Sequence, residues 1–136
     1  MAEILSARLA GFIAGIRTEE PAWGGNDCGH LVTRWAAFCL GTEPARHGDF
    51  TCEASFAAWI AGQGGMLAYA DRYLTGLGCT PVAEPSRGDI GLVEVLGVET
   101  MAIKAENGWF MRAGFRRSMR RAPATAIRVW RLPCHS

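Results

Sequence analysis

Apolar residues recur at helical spacing through the first half of this 136-residue chain and at strand spacing through the second. Ile4, Leu5, Leu9, Phe12, Ile13 and Ile16 fall on one helical stripe, and Pro21 bounds the segment. Cys28, Leu31, Val32, Trp35 and Cys39 stand at i, i+3, i+4, i+7 and i+11. They form one face of a second helix that starts near Asp27 and ends at Gly41. A third helix is predicted from Thr51 to Ala61, with Cys52, Phe56, Trp59 and Ile60 facing in. A fourth runs from Met66 to Leu77, after the break "GQGG" (62–65). "EPSRGD" (84–89) is turn chemistry. Beyond it, segments 90–96, 100–105, 109–113 and 126–132 are short and rich in apolar, β-branched or aromatic residues, which predicts strands. Asn107-Gly108 signals a hairpin between the second and third of these. Helices followed by an antiparallel meander predict a single α+β domain over residues 1–136. Its helices should cover one face of a sheet of about four strands.

Charge changes this picture at one end. The net charge is +1, but residues 1–106 hold all 13 acids and half of the 14 bases. Residues 107–136 hold the other seven bases, all arginine, and no acid. Five of them lie in "RAGFRRSMRR" (112–121). Arg116, Arg117, Arg120 and Arg121 are therefore candidates for binding an acidic partner or an anionic polymer, against the plainer reading of a solvated arginine face. No aromatic residues interleave them in a recognisable nucleic-acid motif, which disfavours nucleic acid as the partner. No run of ~18 apolar residues is present, so no membrane span is expected. The N-terminus carries Glu3 and no basic stretch before its apolar part. It reads as a folded helix rather than a signal peptide, so synthesis in a reducing cytosol is expected.

The five cysteines (Cys28, Cys39, Cys52, Cys79 and Cys134) make no CxxC pair and are odd in number. Free thiols are expected, with no metal and no cofactor. Cys28 stands apart. Asp27 suits an N-cap, which puts Cys28 at the first helical position, where unpaired N–H groups and the helix dipole stabilise a thiolate. Trp23, Gly24 and Gly25 form a turn that would let a substrate backbone approach as in a cleft. The alternative is that Cys28 simply begins the helix's apolar face. A cysteine nucleophile needs a base within hydrogen-bond reach. His30 lies two positions on, which at ~100° per residue points away from the Cys28 face. His47 follows the far end of the helix, ~18 Å away by helical rise. His135 is penultimate, where chains fray.

"WGGNDCGHLV" (23–32) resembles the NlpC/P60 signature, in which an aromatic-Gly-Gly turn leads to Asp-Cys-Ser-Gly and an apolar helix; here Gly29-His30 replaces Ser-Gly. "RGDIGLVEV" (87–95) is similar to that family's Gly-Asp strand. "TMAIKAENGWFMRAG" (100–114) aligns without a gap to its next hairpin, and "AIRVWRL" (126–132) to a last strand. The resemblance covers roughly residues 20–114. It implies a papain-like α+β fold, and many members cleave bacterial cell-wall peptides. Carried over residue by residue, the nucleophile falls on Cys28, the histidine base on Thr100 and the orienting residue on Arg112. Thr100 has no group that titrates near neutral pH, and Arg112 is permanently charged. Assistance worth roughly 10²–10⁴-fold is then missing.

The chain also resembles small NlpC/P60-related proteins of phage and prophage tail modules. The shared features are Asp27, Cys28 and Trp35, then Gly64-Gly65, Gly88-Asp89 and Trp130-Arg131-Leu132. That resemblance implies a tail-tip or baseplate component of the virion tail, a degenerate peptidase fold docking on a tail hub protein. Two alternatives stand beside it. One is an active cysteine endopeptidase or amidase on peptidoglycan, its base supplied by His47 folding back or by a partner. The other is an anionic-polymer binder using the arginine-rich end.

Overall fold

The computed structural model describes residues 2–16, 28–42, 53–95, 97–106, 108–112, 119–122 and 124–133. Of residues 2–6, 28–30, 53, 112 and 119–122 it describes the backbone alone. Four helices precede six strands among these residues: α1 (Ala2–Ile16), α2 (Cys28–Leu40), α3 (Glu53–Gly62), α4 (Met66–Gly76), β1 (Thr80–Pro81), β2 (Ile90–Val95), β3 (Val98–Ala105), β4 (Gly108–Arg112), β5 (Met119–Ala122) and β6 (Thr125–Arg131). The α+β class is as the pattern of apolar positions predicts. The sheet is fully antiparallel in the order β1-β6-β2-β3-β4-β5, so the last strand inserts between the first two.

Two strands go beyond the four expected. β1 is a two-residue bridge to β6. β5 lies inside the arginine-rich segment that reads as a loop. Its apolar content is too low to signal a strand, and its pairing with β4 makes it one. The β3–β4 turn also differs by one position. Ala105 pairs with Gly108, so the turn spans positions 106–107. Gly108, at φ 108°, is the first strand residue, a conformation that favours glycine.

α2 is the central helix. Leu31, Val32, Trp35, Ala36 and Cys39 are buried together with Leu9, Ile13 and Ile16 of α1, Ala70 and Leu74 of α4, and Ile90, Leu92, Met101, Ile103, Phe110 and Trp130 of the sheet. The helices thus cover one face of the sheet. The other face carries a second cluster, Val93, Ala102, Trp109, Met111 and Val129. Trp109 lies across Gly91: a Cβ there would stand 2.6 Å from its ring, so the crossing needs glycine.

α3 turns the expected side inward but buries it less deeply. Phe56, Trp59 and Ile60 are half-buried while Ala54, Ala57, Ala58 and Ala61 are exposed, and Cys52 lies outside the described residues. None of the three joins the core cluster. The rings of α3 instead meet those of α4: Trp59 packs edge-on against Tyr69 at 4.8 Å, and Tyr69 stacks on Tyr73 at 6.4 Å.

The turn before β2 is tied to the last strand at Asp89. Asp89 is fully buried. Its Oδ1 accepts from Arg131 Nε at 3.1 Å and its Oδ2 from Arg131 Nη2 at 2.9 Å, a two-point ion pair. Asp89 Oδ2 also accepts from the Ser86 N–H at 2.7 Å, and Arg131 Nη2 donates to Ser86 Oγ and the Glu84 carbonyl. Hydrogen bonding to Asp89 pushes the Arg131 pKa further up, against the opposing effect of desolvation.

Two outcomes follow from this packing. Arg131→Met leaves the Asp89 carboxylate buried without its partner. A fully buried pair broken in this way costs ~3–5 kcal/mol, and since Arg131 keeps 30% of its side chain exposed the loss should be about 2–3 kcal/mol in urea unfolding. A loss under about 0.5 kcal/mol would show that the pair does not hold the fold. The two tyrosines of the chain, Tyr69 and Tyr73, both have pKa values raised above the ordinary 10.0, chiefly by burial. A raised tyrosine pKa stabilises the folded chain below pH 10 and loses that contribution as pH rises through the folded value. Ultraviolet titration should therefore give midpoints above 10 in the folded chain and near 10 in urea; coincident curves would contradict the burial.

Candidate functional site

Helix α2 begins at Cys28, where the residue pattern places a nucleophile. The side chains of Cys28 and His30 lie outside the described residues, as do Trp23, Gly24, Gly25, Asp27, His47, Arg116, Arg117 and His135 entirely. Arg112 closes β4, its backbone in register with Met119, and Arg120 and Arg121 lie in β5; none of these three has a described side chain.

Thr100 is described fully, and its place bears on the chemistry. It pairs across the sheet with Val93, and Val93 belongs with Ala102 to the cluster on the face that the helices do not cover. Its neighbours Met101 and Ile103 point the other way, into the core shared with Leu31, Val32 and Trp35 of α2. Successive strand residues alternate faces, so Thr100 and α2 lie on opposite sides of the sheet. The Thr100 hydroxyl is buried and donates to the Met101 carbonyl at 3.5 Å, the long limit of a hydrogen bond. The structure turns Thr100 away from α2; the α2 side of this strand belongs to Met101.

A groove of about 390 Å³ lies between α1 and α2, lined by residues that include Phe12, Ile16, Arg34, Phe38 and Thr42. It sits at the C-terminal half of α2. Its lining residue on α2 nearest the helix start, Arg34, stands six positions from Cys28, ~9 Å along the helix. Cys39 and Cys79 are buried and not in a disulfide. No three His, Cys, Asp or Glu side chains among the described residues stand close enough to hold a metal ion. No described helix is long and apolar enough to cross a membrane.

The residues that sequence reading left without a role form a connected polar network. The Trp35 indole N–H donates to the Gly88 carbonyl at 2.8 Å in the core. Gly88 N–H donates to the Lys104 carbonyl and Lys104 N–H to the Asp89 carbonyl, which extends the β2–β3 ladder back to the Gly-Asp pair. Trp130 donates from its indole to Asp71 of α4 at 3.0 Å, and Arg131 next to it holds Asp89. The signal was present in the quoted motifs. A tryptophan one helical face along from the cysteine, Gly-Asp before a strand and Trp-Arg near the end are the residues that touch one another.

A family model described as a domain of unknown function, DUF6950, matches residues 2–132. No curated protein and no solved structure matches the chain.

The face assigned to Thr100 gives a direct test. Thr100→His should yield no peptidoglycan hydrolysis, because the imidazole would stand on the far side of the sheet from α2, beyond hydrogen-bond reach of the helix start. Cysteine-dependent hydrolysis gained by Thr100→His would overturn that placement.

Proposed function

The chain belongs to the DUF6950 family, and from that premise we propose that it is a docking module of a phage or prophage tail tip, built on an NlpC/P60-like papain-type scaffold that has lost its proton-transfer machinery. Four features support a papain-like ancestry. The helices come before an antiparallel sheet, a cysteine opens the helix at the centre of the core, that helix packs on β3, and Gly-Asp leads into β2. The loss of activity is carried by one observation: the base position, Thr100, lies on the sheet face away from α2. A thiol without a base and without a donor for the leaving amine is a poor peptidase. The motif residues shared with tail-module proteins are engaged in holding the fold, which fits a part retained for its shape. Its partners on this reading are tail hub or baseplate proteins.

An active cysteine endopeptidase or amidase on peptidoglycan peptides is the second reading. It is favoured by one feature, the position of Cys28 at the first residue of a 13-residue helix, where the dipole favours a thiolate.

One experiment separates the two. Purified tails carrying Cys28→Ala should contain the chain at the wild-type level, and the pure wild-type protein should release no peptide from cell-wall sacculi. Wall digestion abolished by Cys28→Ala establishes the peptidase reading instead. Absence of the chain from purified tails removes the docking reading.

A further inference from the structure

The sheet ends differently on its two sides. At one edge stands β1, two residues long, with Pro81 offering no N–H. At the other stands β5, four residues paired on one side only, with Trp109, Phe110, Met111 and Arg112 of β4 opposite Ala122, Arg121, Arg120 and Met119. A strand turns its backbone N–H and C=O groups alternately to its two sides. Among the described residues the outer side of β5 therefore presents donors and acceptors with no strand beside them, the arrangement to which an extended segment can add.

The sequence around that edge selects what can add to it. Arg120 and Arg121 form the middle of β5, and residues 107–136 contain seven arginines and no acid. A second copy of the chain is disfavoured. Antiparallel pairing of two β5 strands about a two-fold axis near their centre sets Arg120 opposite the copy's Arg120 or Arg121 opposite the copy's Arg121, and like charges directly opposite one another are destabilising. The same charges attract a strand rich in glutamate or aspartate. A polyanion such as nucleic acid would satisfy the charge but not the backbone groups.

We propose that the open edge of β5 is a docking strand, and that its partner is an extended acidic segment of another protein, which adds to the sheet beside Met119–Ala122. The backbone ladder supplies the affinity and the arginines supply the choice of partner. The proposal deepens the docking role given above and rests on it. The two fail separately: incorporation is measured in tails, strand addition in the purified chain.

The probe is an acetylated, amidated octapeptide of alternating threonine and glutamate, in three forms: unmodified, N-methylated on the threonines and N-methylated on the glutamates. In an added strand only one of the two sets of N–H groups points at β5. One methylated peptide should therefore bind the full chain at least about tenfold more weakly than the unmodified one, while the other is nearly unaffected. Arg120→Glu/Arg121→Glu, checked for unchanged thermal unfolding, should also weaken the unmodified peptide at least about tenfold. Three results would overturn the proposal: no binding of the unmodified peptide, equal binding of the two methylated forms, or undiminished binding by a folded charge-reversed variant. The second would mean that charge alone holds the peptide. If any of these is found while purified tails contain the chain, the docking role stands and this edge is not its means.

Discussion

A carboxylate with no exposed surface, Asp89, and the guanidinium that grips it from the last strand hold this molecule together. An unpaired charge at that depth costs a few kcal/mol, so the fold is strongly favoured with Arg131 in this place. The pair fixes three things. It brings β6 back across the sheet to lie between β1 and β2, although β6 follows β5 in the chain. It ties the 84–89 turn to that strand through Ser86 and Glu84. And it sets Gly88 where its carbonyl meets the Trp35 indole, which locks α2 onto the sheet. Gly88 thus ties the sheet to α2, and Asp89 beside it ties the preceding turn to the last strand.

This joint changes what the motifs mean. Trp35, Gly88-Asp89 and Trp130-Arg131 carry the proposed resemblance to tail-module proteins, and each is engaged in the same polar network or anchors α4 beside it. Such residues report how a chain must fold, whereas chemistry has to be argued at the site itself. At the site, the register of β3 decides. Thr100 shares its face with Ala102, opposite the face that packs on α2. On the proposed reading, the helix that starts with Cys28 serves as a framework element.

The sheet's two edges complete the account. A bundle of helices on one face and a second apolar cluster on the other leave the edges as the places where the backbone can meet another chain. β1 is short and contains proline; β5 is longer, cationic and outermost. An arginine-rich edge repels a copy of itself, which guards against self-pairing while leaving room for a strand of opposite charge.

Much of this was legible in the sequence. The spacing of Leu31, Val32, Trp35 and Cys39 gave α2 its buried face, and the alternation of Met101, Ile103 and Ala105 with Thr100, Ala102 and Lys104 already divided β3 into two sides. Local patterns of this kind are set by the geometry of single elements, so a sequence alone determines them. Three features were not legible. How deeply α3 is buried had no local signal: its Trp59 ring packs on Tyr69 of α4 rather than in the core cluster. β5 has the composition of a loop and became a strand because β4 offered it an unpaired ladder. The face of β3 that α2 covers was decided last, by packing: alternation says that Thr100 and Met101 point apart, but only the tertiary fold puts the helix on the side of Met101 and leaves Thr100 on the other.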